Sequence, residues 1–171
     1  MRSHTLLLLA FVVGCTPGST RPIPASSPRP SADSLLATLT VPQKVGQVIV
    51  PWLAGAYSAL DDSTFLEAAR WVDSLHVGGV IISVGSPFDI AAKLNVLQSR
   101  SRLPLLISAD LEWGAAMRVT GATAFPQIMA AGATGRPEDA YAIGSAAATE
   151  GRAVGIHVNF APDADLNNNP L

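Results

Sequence analysis

The chain has a single cysteine, Cys15, so no disulfide can form within it and that thiol is left for other chemistry. Charge is sparse as well: 14% of the residues are charged, and 11 lysines and arginines stand against 13 acids for a net charge of −2. The basic residues are scattered, with no run or patch among them, so no nucleic-acid partner is expected. Nor is any apolar run long enough to cross a bilayer, which takes about 20 residues in a helix. What remains is a globular composition, 49% hydrophobic, that can bury a core.

The amino terminus carries an address. Met1-Arg2 is a short basic start, and Leu6–Val13 is an unbroken apolar run of eight residues, the size of a secretory signal core. The run ends in Val12-Val13-Gly14-Cys15, which resembles the bacterial lipobox. Residues 1–14 are therefore expected to be a lipoprotein signal peptide, with Cys15 lipidated and the mature chain held to the membrane of the cell envelope by its acyl chains. The alternative is a plain secretory peptide with an incidental cysteine. Residues 15–33 are rich in proline and serine and poor in bulky apolar side chains. They cannot bury a core and suit an extended tether.

From residue 34 to residue 171 the chain alternates between strand and helix signals. Thr40 can cap a helical turn over Pro42–Gln47, and Val48-Ile49-Val50 is expected to be a strand. Asp61-Asp62-Ser63 offers caps for a helix with apolar positions Phe65, Leu66, Ala69, Val72 and Leu75, stopped by Gly78-Gly79. Val80–Val84 is expected to be a buried strand. Ser86-Pro87 places a cap before a proline at the first helical position, and that helix runs to about Arg100. Pro104 opens a third strand. A long loop with Gly114, Gly121 and Phe125-Pro126 follows. Pro137 starts a further helix that packs through Ala140, Ile143, Gly144, Ala147 and Ala148 and stops at Gly155. Ile156–Ala161 is expected to be a fourth strand. Strands alternating with helices argue for an α/β fold with a parallel sheet. Four strands are half of an eight-stranded barrel. The expectation is the amino-terminal half of a (β/α)8 TIM-like barrel, truncated after about the fourth strand. A complete small open sheet is the alternative, and it would leave its last edge unprotected.

The segment Pro104–Arg118, PLLISADLEWGAAMR, is the most telling. Its apolar run is suited to a strand buried on both faces, and it ends in two carboxylates, Asp110 and Glu112. Acids at the carboxyl end of a strand lie where α/β folds build their sites. If the strand persists, residues two apart share a side, and both acids can point into one pocket. A helix cap plus a solvated acid is the plain alternative.

In order and spacing, KVGQVIV, GGVIIS, PLLISADLEWG, FPQIMAAGATGRPEDAYAIG and GIHVNFAPDADLNNNP resemble the amino-terminal half of the catalytic domain of glycoside hydrolase family 3. More narrowly, they resemble its bacterial β-N-acetylhexosaminidases. The resemblance implies a barrel enzyme that hydrolyses β-linked sugars with retention and needs no cofactor or metal. It gives Asp110 the hydroxyls of the terminal sugar, with Glu112 as the second acid of the element and Arg118 as its trailing arginine. Asp165 matches an aspartate of the last loop, and Asn167 and Asn169 match its polar tail. Trp113 stands where many members have glycine, Ala115-Ala116-Met117 replaces Arg-Val-Gln, and Asp163 replaces a small apolar residue. The Glu-Trp-Gly form resembles a branch in which a serine-β-lactamase-like domain follows the hydrolase. The family's nucleophile, an aspartate on a late strand, and its acid/base histidine, in a Lys-His-Phe-Pro-Gly-His-Gly stretch, have no counterpart in this sequence. No catalytic residue is therefore assigned, and these residues alone are expected to be inactive.

Other residues admit two readings. Trp113 can be a platform for a sugar ring or part of the core. His157 is expected to be a satisfied core or supporting residue, His76 a structural one at a helix end, and Met117 a packing one. Asp163, Asp165 and Asn167 lack the spacing of a glycine-turned calcium loop and are expected to cap the loop. Asp110 and Glu112 are not a catalytic pair, although a retaining pair stands about 5–5.5 Å apart and two acids at one strand end come near that distance. Three functions stay open: an exo-acting hexosaminidase trimming cell-wall or chitin-type sugars, a non-catalytic sugar-binding or structural lipoprotein, and another barrel enzyme, such as a different β-glycosidase of the family.

Overall fold

A computed structural model describes residues 30–164 of the chain. Two short helices, α1 (Ala32–Thr38) and α2 (Val41–Gln47), precede the alternating part. That part runs β1 (Trp52–Leu53), α3 (Ser63–Asp73), β2 (Gly79–Ile82), α4 (Pro87–Arg100), β3 (Leu106–Ala109), a 3-10 turn (Ala115–Met117), α5 (Ile128–Ala133), α6 (Pro137–Ala153) and β4 (Val158–Asn159). The strands form one parallel sheet in the order β1-β2-β3-β4. Sequential parallel strands with intervening helices are the arrangement of a partial (β/α)8 barrel.

Local chemistry sets the helix starts. At α2, Thr40 and Gln43 form a reciprocal capping box, with the Thr40 amide donating to Gln43 Oε1 at 2.9 Å. Asp62 caps α3 through the Thr64 amide at 2.8 Å. Ser86 Oγ accepts from the Asp89 amide at 3.1 Å and donates to Asp89 Oδ2 at 2.7 Å, with Pro87 behind it. Ser86→Ala should therefore lower the stability of the chain by about 1 kcal/mol, measured as a shift in the urea midpoint at constant slope.

The sheet has two unlike faces. Leu53, Val80, Ile82, Ile107 and Ala109 lie on one and are buried, in a cluster with Phe65, Ala69 and Val72 of α3 and Ile90, Leu94 and Leu97 of α4. Register places Trp52 beside Ile81, Ile81 beside Ser108, and Ser108 beside Val158 on the other. That face is open at Trp52, 60% exposed, and at Leu106, 51% exposed.

Several expectations are corrected. Val48-Ile49-Val50 is not a strand. The end of α2 is bound to the next unit, because the Gly78 amide donates to the carbonyls of Gly46 and Ile49 at 3.0 and 3.2 Å, and pairing begins only where Ile81 N–H reaches Pro51 O. Helix α3 stops at Asp73 rather than at Gly78-Gly79, and it buries Ala68 while Leu66 and Leu75 stay exposed. His76 consequently lies beyond the helix end, at φ 53°, and its carbonyl accepts from Gln47 Nε2. Strand β2 ends at Ile82, with Val84 exposed. Along α6 the packing stripe is Ile143, Ala147 and Gly151, while Ala140, Gly144 and Ala148 face outward. Helix α5 occupies part of the expected loop, and β4 is shorter than Ile156–Ala161.

Candidate functional site

Asp110 follows the last residue of β3. It lies at the carboxyl end of the sheet, where barrel sites form. Its carboxylate is held: Arg118 Nη2 donates to Asp110 Oδ2 at 2.8 Å, with the two side chains 22% (Arg118) and 37% (Asp110) exposed. An ion pair so open to water stabilises the fold little. Its value is geometric, since it fixes one carboxylate oxygen and leaves acceptor capacity on the group for a ligand's hydroxyls.

The chain between the two partners doubles back to bring them together. At Gly114 φ is 100°, the left-handed region, and a Cβ there would lie 2.7 Å from Thr123 O and 2.8 Å from the Phe125 ring. The 3-10 turn Ala115–Met117 then returns Arg118 to Asp110, with Arg118 Nη1 donating to Met117 O at 3.2 Å. The loop is closed on both sides. Phe125 N–H donates to Trp113 O at 3.0 Å, and Thr123 donates through its hydroxyl to Glu150 Oε1 of α6 at 2.6 Å and through its amide to the same carboxylate.

Strand β4 supports the site from the other flank. Leu111, buried next to Asp110, donates its amide to Asn159 Oδ1 at 2.8 Å. His157 N–H donates to Ile107 O at 2.8 Å, and His157 Nδ1 accepts from Ile107 N–H at 3.0 Å. An accepting Nδ1 places the proton of the neutral ring on Nε2. His157 is thus satisfied by the backbone, as expected, though its residue is exposed rather than in the core.

Glu112 departs from the expected geometry. The strand ends at Ala109 and the chain turns at Glu112-Trp113, so Asp110 and Glu112 are not successive same-side residues of one extended segment. Glu112, Trp113 and Met117 are half-buried. Asp163 is exposed. Cys15, Asp165, Asn167 and Asn169 lie outside the described residues. Among the described residues, no three of His, Cys, Asp and Glu stand together as a metal site.

Asn159, Glu150 and Lys93 were not singled out from the sequence. Lys93 had a readable signal, because it interrupts the apolar stripe Ile90, Leu94, Leu97 of α4. Asn159 interrupts the apolar stretch Val158–Ala161 in the same way. Glu150 had none, being one polar residue among many on α6.

Comparison with known proteins agrees with this arrangement. The family model for the glycosyl hydrolase family 3 N terminal domain matches residues 40–171. A beta-N-acetylglucosaminidase/beta-glucosidase of Cellulomonas fimi is 43% identical over 100 residues, 57% of this chain and 18% of its own length. Beta-hexosaminidase A of Pseudoalteromonas piscicida is 34% identical over 149 residues, 84% of this chain and 22% of its own. Among solved structures, a glycoside hydrolase family 3 beta-N-acetylglucosaminidase from Paenibacillus sp. str. FPU-7 superposes with a TM-score of 0.64 at 38% identity, over 77% of this chain and 26% of that one. A beta-glucoside phosphorylase, 23% identical with a TM-score of 0.65 over 76% of this chain and 22% of that one, shares the fold. The chain spans about a fifth of the length of the curated relatives it matches. With a parallel sheet of the barrel type, an acid held at the mouth of its third strand, and a family match over most of its length, the chain belongs to glycosyl hydrolase family 3, within that family's N-terminal domain.

Proposed function

We propose that this chain supplies the terminal-sugar site of a retaining exo-β-N-acetylhexosaminidase acting on cell-wall or chitin-type sugars. Asp110, steadied by Arg118, accepts sugar hydroxyls, and Glu112 and Trp113 border the same subsite; Asp165, outside the described residues, is assigned to it through the family resemblance alone. The observation that carries the reading is the Asp110–Arg118 pair at the carboxyl end of β3. A carboxylate that accepts two hydroxyls selects among epimers, because a misplaced hydroxyl leaves a charge-assisted bond unmade. Relatives named for N-acetylglucosaminidase and hexosaminidase activity support the choice of sugar. The full-length gene product should release nitrophenol from nitrophenyl N-acetyl-β-glucosaminide faster than from the β-glucoside. The reverse preference would favour a β-glucosidase, the second activity in the name of the Cellulomonas relative.

The proposal extends to the cell envelope. Val12-Val13-Gly14-Cys15 and the tether behind it suit a lipid anchor that holds the enzyme on the outer-membrane or periplasmic side, close to a cell-wall substrate. A serine-β-lactamase-like domain following the hydrolase belongs to the same reading, through Glu112-Trp113-Gly114. Cys15→Ser should move the protein from the membrane fraction to the soluble fraction, and an unchanged requirement for detergent would defeat the anchor.

A further inference from the structure

Lys93 is buried in the core side of α4, 6% exposed, among Ile90, Leu94 and Leu97. Burial pulls its ammonium below the ordinary lysine range, against the attraction of Asp89 and Asp62. A buried charge is retained against that cost only where it is well bonded. Here Nζ donates to Ala54 O at 2.7 Å and Ala56 O at 2.6 Å, the carbonyls on either side of Gly55 in the loop that leaves β1.

What that loop touches gives the lysine its task. Gly55 and Gly85 meet backbone to backbone. A Cβ on Gly85 would collide with the Gly55 carbonyl and stand 2.9 Å from Ala56 N, and one on Gly55 would press on Ser83 O and Ile90. Gly85 in turn pairs with the segment that carries Arg118. Its amide donates to Arg118 O at 3.0 Å, and Thr120 N–H donates to its carbonyl at 2.9 Å. A continuous run of bonded or touching groups therefore leads from Lys93 through residues 54–56 and Gly85 to Arg118, and from there to Asp110.

We propose that Lys93 is a positioning residue for the sugar-binding carboxylate: by clamping the β1 loop against Gly85 it sets the backbone from which Arg118 reaches Asp110. The kinetic arm of its test rests on the function proposed above; the exchange arm does not.

Amide hydrogen exchange is measured on the full chain with Lys93→Met, and with Lys93→Gln, which keeps a donor, should the methionine variant not fold. Exchange at Gly85 and Thr120 should quicken at least about tenfold, while Ile81 and Leu106, bonded within the sheet, should not change. Unchanged exchange at Gly85 and Thr120, or equal quickening at all four amides, would overturn the proposal. In the full-length gene product, Lys93→Met should raise KM several-fold, and adding it to Arg118→Gln should raise KM no further, because both act through one contact. Additive penalties would also overturn it. If the wild-type protein cleaves no aryl glycoside, the proposed activity fails while the exchange result still decides the role of Lys93.

Discussion

Asp110→Ala is expected to lower kcat/KM of the full-length gene product by about 2–5 kcal/mol, the range for losing a charged group bonded to two partners. That corresponds to roughly 30-fold to several thousand-fold in rate. Both kcat and KM should suffer, because contacts to hydroxyls away from the scissile bond also help distort the ring towards the transition state. Removal of the carboxylate leaves the Arg118 guanidinium without its side-chain partner at the mouth of the site. Small anions provide the decisive control. Azide or formate can replace a missing nucleophile, but neither can replace a hydroxyl clamp. If azide restored turnover to Asp110→Ala and produced a glycosyl azide, Asp110 would be the nucleophile and its assigned role would be wrong.

The second large effect concerns the unlike faces of the sheet. Ile82→Ala should destabilise the chain by about 2–5 kcal/mol, the cost of emptying a fully enclosed isoleucine site. Leu106→Ala, at the half-exposed edge of the open face, should cost roughly 1 kcal/mol or less. Urea unfolding of the two variants of this chain measures the contrast. Equal penalties would mean that the open face is covered in solution.

The elements that were legible in the sequence are those whose signals are local. Thr40, Ser86-Pro87 and Pro137 each announce a helix start through a cap or a missing amide, and the structure starts helices there. The position of β1 was not legible. The run from Val48 to Leu53 is apolar throughout, and what decides where it becomes extended is a backbone donor from Gly78, distant in sequence. The face of α6 was equally hidden, because an alanine-rich helix offers two stripes of small residues with little contrast between them. At the site, Asp110 and Arg118 stood out through a resemblance in motif, but their contact depends on the left-handed turn at Gly114 and the closure of the loop by Glu150. The two acids of Asp110-Leu111-Glu112 looked like a same-side pair only on the condition that the strand continued, and it does not.

Strands β3 and β4 pair over only two positions, flanked by the His157 amide on Ile107 O and the Phe160 amide on Ala109 O. Two side chains, Asn159 at the end of β4 and His157 just before it, reinforce that alignment. His157 Nδ1 and Asn159 Oδ1 each take a β3-side amide, at Ile107 and at Leu111, standing in for main-chain carbonyls at either end of the short ladder. A slip by one residue would forfeit both bonds and turn each β4 side chain to the opposite side of the sheet. The fourth strand therefore writes its alignment twice, once in main-chain bonds and once in side-chain ones, and Asp110 lies on the stretch of chain between the two side-chain anchors.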